Sequence, residues 1–195
     1  VEAGLRAGWR AGSARRLSSS LELRKGLDAL GAGLRADDLA VDERQDDFLV
    51  AQLQAGSLTR FAIAWSVRVD VFAQLTGDVL PDSERFKIGG ERLGRGFEVA
   101  EIAGDQGAGA KLVLRRDFTT AGSGRTRPSL YALYDYGSAW KENAGGRESA
   151  ATGGVGFALD GENLSGYLEV ARPIGHADIE GKRSTSVFAE IGWRF

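Results

Sequence analysis

Cysteine is absent from the chain, which excludes a disulfide framework, a thiolate metal site and a cysteine nucleophile. Methionine is absent as well, and Val1 already lies in an alternating run, so the chain is expected to begin within a longer protein. An excess of positive charge is missing too: the formal net charge is -2. A nucleic-acid binder would show a basic patch or stripe, so no nucleic-acid partner is expected. No stretch approaches the roughly 18 continuous apolar residues of a membrane helix, and no basic-apolar-small leader opens the chain. Neither absence bears on a β-barrel, whose strands need only about ten residues with every second one apolar.

Signs of catalysis are equally sparse. His176, the single histidine, stands beside Gly175, Asp178 and Glu180 in a stretch that reads as a loop. General acid-base chemistry needs partners placed around it, and nothing marks them. Asp37-Asp38 and Asp46-Asp47 read as a solvated charge run. No Gly-x-Ser-x-Gly elbow is present. Gly89-Gly90 and the glycines of 104–109 could suggest a phosphate cradle, but that needs a helix to follow, and the pattern after them is strand. No catalytic residue, metal or cofactor is expected.

What the chain has is period-two alternation. Val1, Ala3, Leu5, Ala7 and Trp9 oppose Glu2, Gly4, Arg6, Gly8 and Arg10. Leu17, Leu21, Leu23 and Leu27 oppose Ser18, Ser20, Glu22 and Arg24. Leu49, Ala51, Leu53 and Ala55 oppose Val50, Gln52 and Gln54. Phe61–Thr76 is the longest run and reads as one sixteen-residue strand, well beyond the usual five or six. Further runs follow around Leu112, Tyr134, Phe157, Leu168 and Ile191, giving about nine strands.

One face is charged and glycine-rich. The other is apolar, with Lys25, Arg116 and Arg172 as exceptions near strand ends. A soluble sandwich also alternates, but the strand lengths and the clean apolar face favour a membrane barrel with a wet lumen. Connections alternate in length. Ala11–Arg16, Gly56–Arg60 and Asp160–Asn163 are short, with Thr119–Pro128 somewhat longer. Between them come Asp28–Asp47, Gly77–Gly109, Lys141–Glu148 and Gly175–Arg183. Outer-membrane barrels have short periplasmic turns and longer extracellular loops, so the C-terminus is expected on the periplasmic side.

The Gly77–Gly109 connection holds the most distinctive residues, within Arg85–Gly109. Phe86-Lys-Ile-Gly89-Gly90, then Gly94-Arg95-Gly96-Phe97, then Gly104-Asp-Gln-Gly107 resemble the long sixth extracellular loop of the two-partner secretion transporters (TpsB). These are the haemolysin secretion/activation proteins, relatives of the outer-membrane assembly factors. Leu133-Tyr-Asp135-Tyr-Gly137 is similar to the family's Asp-x-Gly motif. Ile191, Trp193 and Phe195 resemble a C-terminal assembly signal. One departure stands out: Gly94 occupies a position where the family usually carries Val or Ile, which would loosen the tip backbone.

The resemblance covers essentially the whole chain. It implies an all-β transmembrane antiparallel barrel, of which residues 1–195 are the C-terminal part, strands eight to sixteen of sixteen. Upstream strands and periplasmic domains would lie outside it. It implies that the loop tip folds into the lumen, where Arg95 pairs with Asp135. It further implies a bacterial outer-membrane pore that secretes and activates a haemolysin- or adhesin-like partner. Its other partners would be the outer-membrane assembly machinery, the lipid bilayer and lipopolysaccharide. The alternatives are an assembly factor of the same superfamily, a soluble all-β binding module or an outer-membrane barrel enzyme.

Overall fold

The structure, a computed structural model, describes residues 2–11, 14–26, 48–118, 126–142, 145–174 and 185–194. His176, Asp178, Glu180, the two aspartate pairs and Phe195 lie outside the described residues. Among those described, nine strands form one antiparallel sheet in which each strand pairs with its neighbour in the chain. They are β1 (Glu2–Ala11), β2 (Arg15–Lys25), β3 (Leu49–Ala62), β4 (Trp65–Thr76), β7 (Gln106–Asp117), β8 (Thr126–Trp140), β9 (Arg147–Gly161), β10 (Leu164–Pro173) and β11 (Ser186–Trp193). Between β4 and β7 an inserted segment carries two short strands, β5 (Phe86–Ile88) and β6 (Ile102–Gly104), which pair only with each other.

Alternation sorts the two faces of this wall, and the burial pattern inverts that of a soluble protein. Leu53, Phe61, Leu75, Val155, Ile191 and Trp193 are exposed. Asp70, Gln74, Asp135, Thr152 and Glu169 are buried. Soluble monomers rarely leave an apolar patch of more than a few hundred Å² uncovered, so this face is built for lipid. Over the middle strands the polar face is covered instead by the inserted segment, and the buried apolar cluster lies between the two. It combines Phe86, Ile88, Leu93, Phe97 and Ile102 of the insert with Phe72, Ala139 and Ala150 of the wall. The soluble-module reading is therefore not retained.

Two expected boundaries are corrected. Phe61–Thr76 is not one strand: β3 runs on to Ala62 and the chain reverses at Ile63–Ala64. The Gly56–Arg60 turn does not exist, because these residues lie inside β3. A register shift between Arg60 and Ala62 explains the error. Beyond it, paired residues share parity, as in Leu53 with Ala73 and Ala55 with Val71. Odd positions therefore face outward on both strands, and alternation runs through the hairpin without a break. Gly56 is a clearance glycine, since a Cβ there would meet Asp70 Oδ1 at 2.8 Å and Ser18 Oγ at 3.0 Å.

The second correction concerns Gly77–Gly109, which is not loop throughout. β7 begins at Gln106, so Gly107 and Gly109 belong to the wall. Both lie on its inner face beneath the insert. A Cβ at Gly107 would overlap the Phe86 ring, and one at Gly109 would overlap Leu93. A Cβ at Gly137 on the neighbouring strand would meet Ile88 Cδ1 at 2.9 Å. These three glycines make shallow seats for three apolar side chains of the insert.

Candidate functional site

The insert turns at its tip over Gly94–Phe97, where the Phe97 amide donates to the Gly94 carbonyl at 3.0 Å. Two bonds of longer sequence span hold the flanks together: Gly89 N–H to Leu93 O at 2.8 Å, and Gly90 N–H to Phe97 O at 3.2 Å. Gly94 has φ 85°, a left-handed conformation that costs glycine nothing and other residues a steric penalty. In this conformation the amides of Gly94 and Arg95 both point at Asp135 Oδ2, at 3.2 and 3.3 Å. Gly94 thus orients two donors rather than loosening the tip. Gly96 has its own reason: a Cβ there would lie 2.5 Å from the Arg172 carbonyl carbon.

The Arg95 side chain completes the arrangement. Its Nε and Nη2 donate to Asp135 Oδ2 and Oδ1 at 3.0 and 2.8 Å, a bidentate pair. Its Nη1 donates to Glu169 Oε2 at 2.9 Å, and that oxygen also accepts from the Tyr131 hydroxyl at 3.0 Å. The Gly96 amide donates to Thr152 Oγ1 at 3.2 Å. Asp135 and Thr152 face each other across the β8–β9 ladder, and Glu169 lies one strand further on. Arg95 is 7% exposed, Asp135 0% and Glu169 4%. Burial works against the guanidinium charge, but hydrogen bonds and charge from Asp135 and Glu169 outweigh it, so the Arg95 pKa is raised above its ordinary value. Arg95 therefore carries its charge at any physiological pH.

Around this clasp the insert has further attachments. Lys111 Nζ donates to Glu91 O at 2.7 Å, and the Tyr167 hydroxyl to Glu91 Oε1 at 2.9 Å. At the base of the insert, buried Asp105 accepts the Leu80 amide at 2.9 Å and the Glu142 amide at 3.0 Å. Gln74 Nε2 donates to Glu84 O and Asp105 O at 2.8 and 2.9 Å. A cavity of about 480 Å³ lies beside the clasp, lined by Arg95, Tyr131, Tyr167, Glu169 and Glu190 among others.

Of the residues singled out in the sequence, Gly94, Arg95, Gly96, Phe97, Asp135 and Gly137 come together here. Gly89 and Gly90 have φ 123° and 82° and shape the approach to the tip. Ile191 and Trp193 stand apart, exposed on the outer face of β11. Glu169, Thr152, Tyr131 and Asp105 were missed. The sequence places Glu169 on the polar face, but its distance from Arg95 depends on two hairpin registers that alternation does not supply.

A wall apolar on its outside and charged within, with an inserted loop clasped to the inner face, defines a transmembrane β-barrel. The chain belongs to the haemolysin secretion/activation protein ShlB/FhaC/HecB family, whose model matches residues 1–159. The outer-membrane location follows from that family. The fold is similar to that of CdiB from Escherichia coli, with a TM-score of 0.81 at 16% sequence identity. That alignment covers 98% of this chain and 36% of the CdiB chain. No curated protein sequence matches the chain.

Proposed function

We propose that residues 1–195 are the C-terminal part of a pore that carries a secreted partner protein across the outer membrane and activates it. The clasp of Arg95 on Asp135 and Glu169 would hold the inserted loop inside the lumen and set how far the pore is filled. The observation that carries this reading is the buried bidentate Arg95–Asp135 pair on the inner face of the wall. A guanidinium-carboxylate fork fixes geometry as well as energy, which suits a latch. Moving an unfolded chain through such a pore requires no step of covalent chemistry, and no catalytic role is assigned to any residue.

The wall ends at two edges, β1 and β11. Unpaired edges invite further pairing, and bacterial barrels of this kind have an even strand number. Upstream strands would therefore complete a sixteen-stranded barrel, with periplasmic domains before them to receive the partner. The turn Ile63–Ala64 and its neighbours would face the periplasm, as would the C-terminus. Ile191, Trp193 and Phe195 would be read by the outer-membrane assembly machinery. The family match favours secretion over the assembly-factor alternative.

Arg95→Ala in the full-length protein tests the central claim. The expected outcome is a barrel that still inserts but exports markedly less partner. Secretion at the wild-type level would remove the clasp from the mechanism.

A further inference from the structure

Among the described residues, the arginines of the outward, apolar face include Arg116, Arg147 and Arg172, and the first two lie over aromatic rings. Arg116 on β7 lies over the rings of Trp65 and Phe118, at 5.5 and 5.2 Å from their centroids. Arg147 on β9 lies 5.9 Å from the Trp140 ring centroid. It also donates from Nε and Nη2 to Ser138 Oγ at 3.2 and 3.1 Å. Ser138 Oγ in turn sits 2.5 Å from Ser149 Oγ and 3.4 Å from the Tyr136 hydroxyl. Among the described residues neither arginine forms an ion pair with a carboxylate.

Their spacing places them. Arg116 is opposite Leu130 and Arg147 is opposite Trp140, ten residues further along β8. At about 3.4 Å per residue and a tilt near 40°, ten residues rise about 25 Å, the height of a barrel's apolar band. One arginine therefore stands at each rim of the lipid-facing surface. The rims are built differently. Arg116 meets only rings, whereas Arg147 is set among three hydroxyls beside an indole face.

A guanidinium has five N–H donors, and Ser138 engages those on two of its nitrogens. The remainder is left for a ligand at this rim, where the anions are lipid phosphates. Arginine is suited to phosphate by its fork of donors. We infer that Arg147, with the hydroxyls of Tyr136, Ser138 and Ser149 and the Trp140 ring, binds a phosphate of lipopolysaccharide in the outer leaflet. The ring and hydroxyls suit a phosphorylated sugar better than a bare glycerol phosphate. The choice of leaflet rests on the orientation given under Proposed function.

The test uses the full-length protein in mild detergent, with bound lipid read by native mass spectrometry. The probes are bis-phosphorylated lipid A, its dephosphorylated form and phosphatidylglycerol. Wild type is expected to retain bis-phosphorylated lipid A over both others. Arg147→Gln should lower that retention roughly fivefold, the weight of one basic residue near an anionic surface, with Arg116→Gln unchanged. Ser149→Asp, which sets a carboxylate against the phosphate, should do the same and carries the test if Arg147→Gln does not insert. Equal retention of dephosphorylated lipid A, or no loss in either Arg147→Gln or Ser149→Asp, overturns the inference. Preferential retention of phosphatidylglycerol overturns it too. Partner secretion is scored separately, so the transport reading can stand while the lipid site falls.

Discussion

At Arg95 one cation meets two carboxylates, all three buried, and the two partners are not equivalent. Asp135 takes both arms of the fork and the amides of Gly94 and Arg95. Glu169 takes one arm and is shared with the Tyr131 hydroxyl. Breaking a buried pair by removing one partner costs about 3–5 kcal/mol, while a single hydrogen bond to a charged group contributes about 1.5–3 kcal/mol. Asp135→Asn is therefore expected to release the loop as fully as Arg95→Ala, and Glu169→Gln to release it only in part. Limited proteolysis of the insert in the folded full-length protein ranks them. Equal protection in the two variants would show that the carboxylates share the load evenly. The Arg95–Asp135 pairing was implied by the family resemblance of the motifs around each residue. Glu169 carried no such mark, because a glutamate on a charged face looks like any other.

At the level of elements, the insert is seated as well as clasped. Phe86, Ile88 and Leu93 press into places where the wall has Gly107, Gly137 and Gly109. Gly109→Leu should unseat Leu93, whose Cδ2 lies 2.4 Å from where the new Cβ would stand, while leaving the barrel folded, since the nearest backbone atom, the Tyr136 carbonyl oxygen, is 3.0 Å away. Ala108→Leu, one residue away and facing outward, should be neutral. Heat-modifiable migration reports the barrel and proteolysis reports the insert; loss of the barrel in Gly109→Leu would mean that the glycine serves the strand, not the seat. The sequence shows Gly107 and Gly109 as part of a long loop, since glycine reads as turn or bulge when its neighbours are unknown. The β3–β4 hairpin was hidden for a different reason. The register shift near Phe61 and the two-residue turn together keep odd positions outward, leaving no phase break to read.

For the whole molecule, the two-residue turns at Ile63–Ala64 and Glu162–Asn163 lie at one end of the wall and the insert enters from the other. The lack of cysteine makes this orientation testable by single substitutions. Gly146→Cys, exposed near the insert's end, should react with a membrane-impermeant maleimide on intact cells. Ile63→Cys, at the tip of the β3–β4 turn, should react only after the outer membrane is permeabilised. The reverse pattern would invert the barrel and move the Arg147 rim to the periplasmic leaflet.

The chain's own alternation determined the strands, their two faces and the near absence of charge on one of them. It could do so because side-chain direction along a strand has a period of two, a property of the backbone alone. Which face was inward, and which inner residues reach Arg95, was decided only by tertiary structure. Facing depends on what covers each surface, and here it is the insert that covers the polar one. Proximity depends on register summed across successive hairpins, where a bulge of one residue moves every later partner.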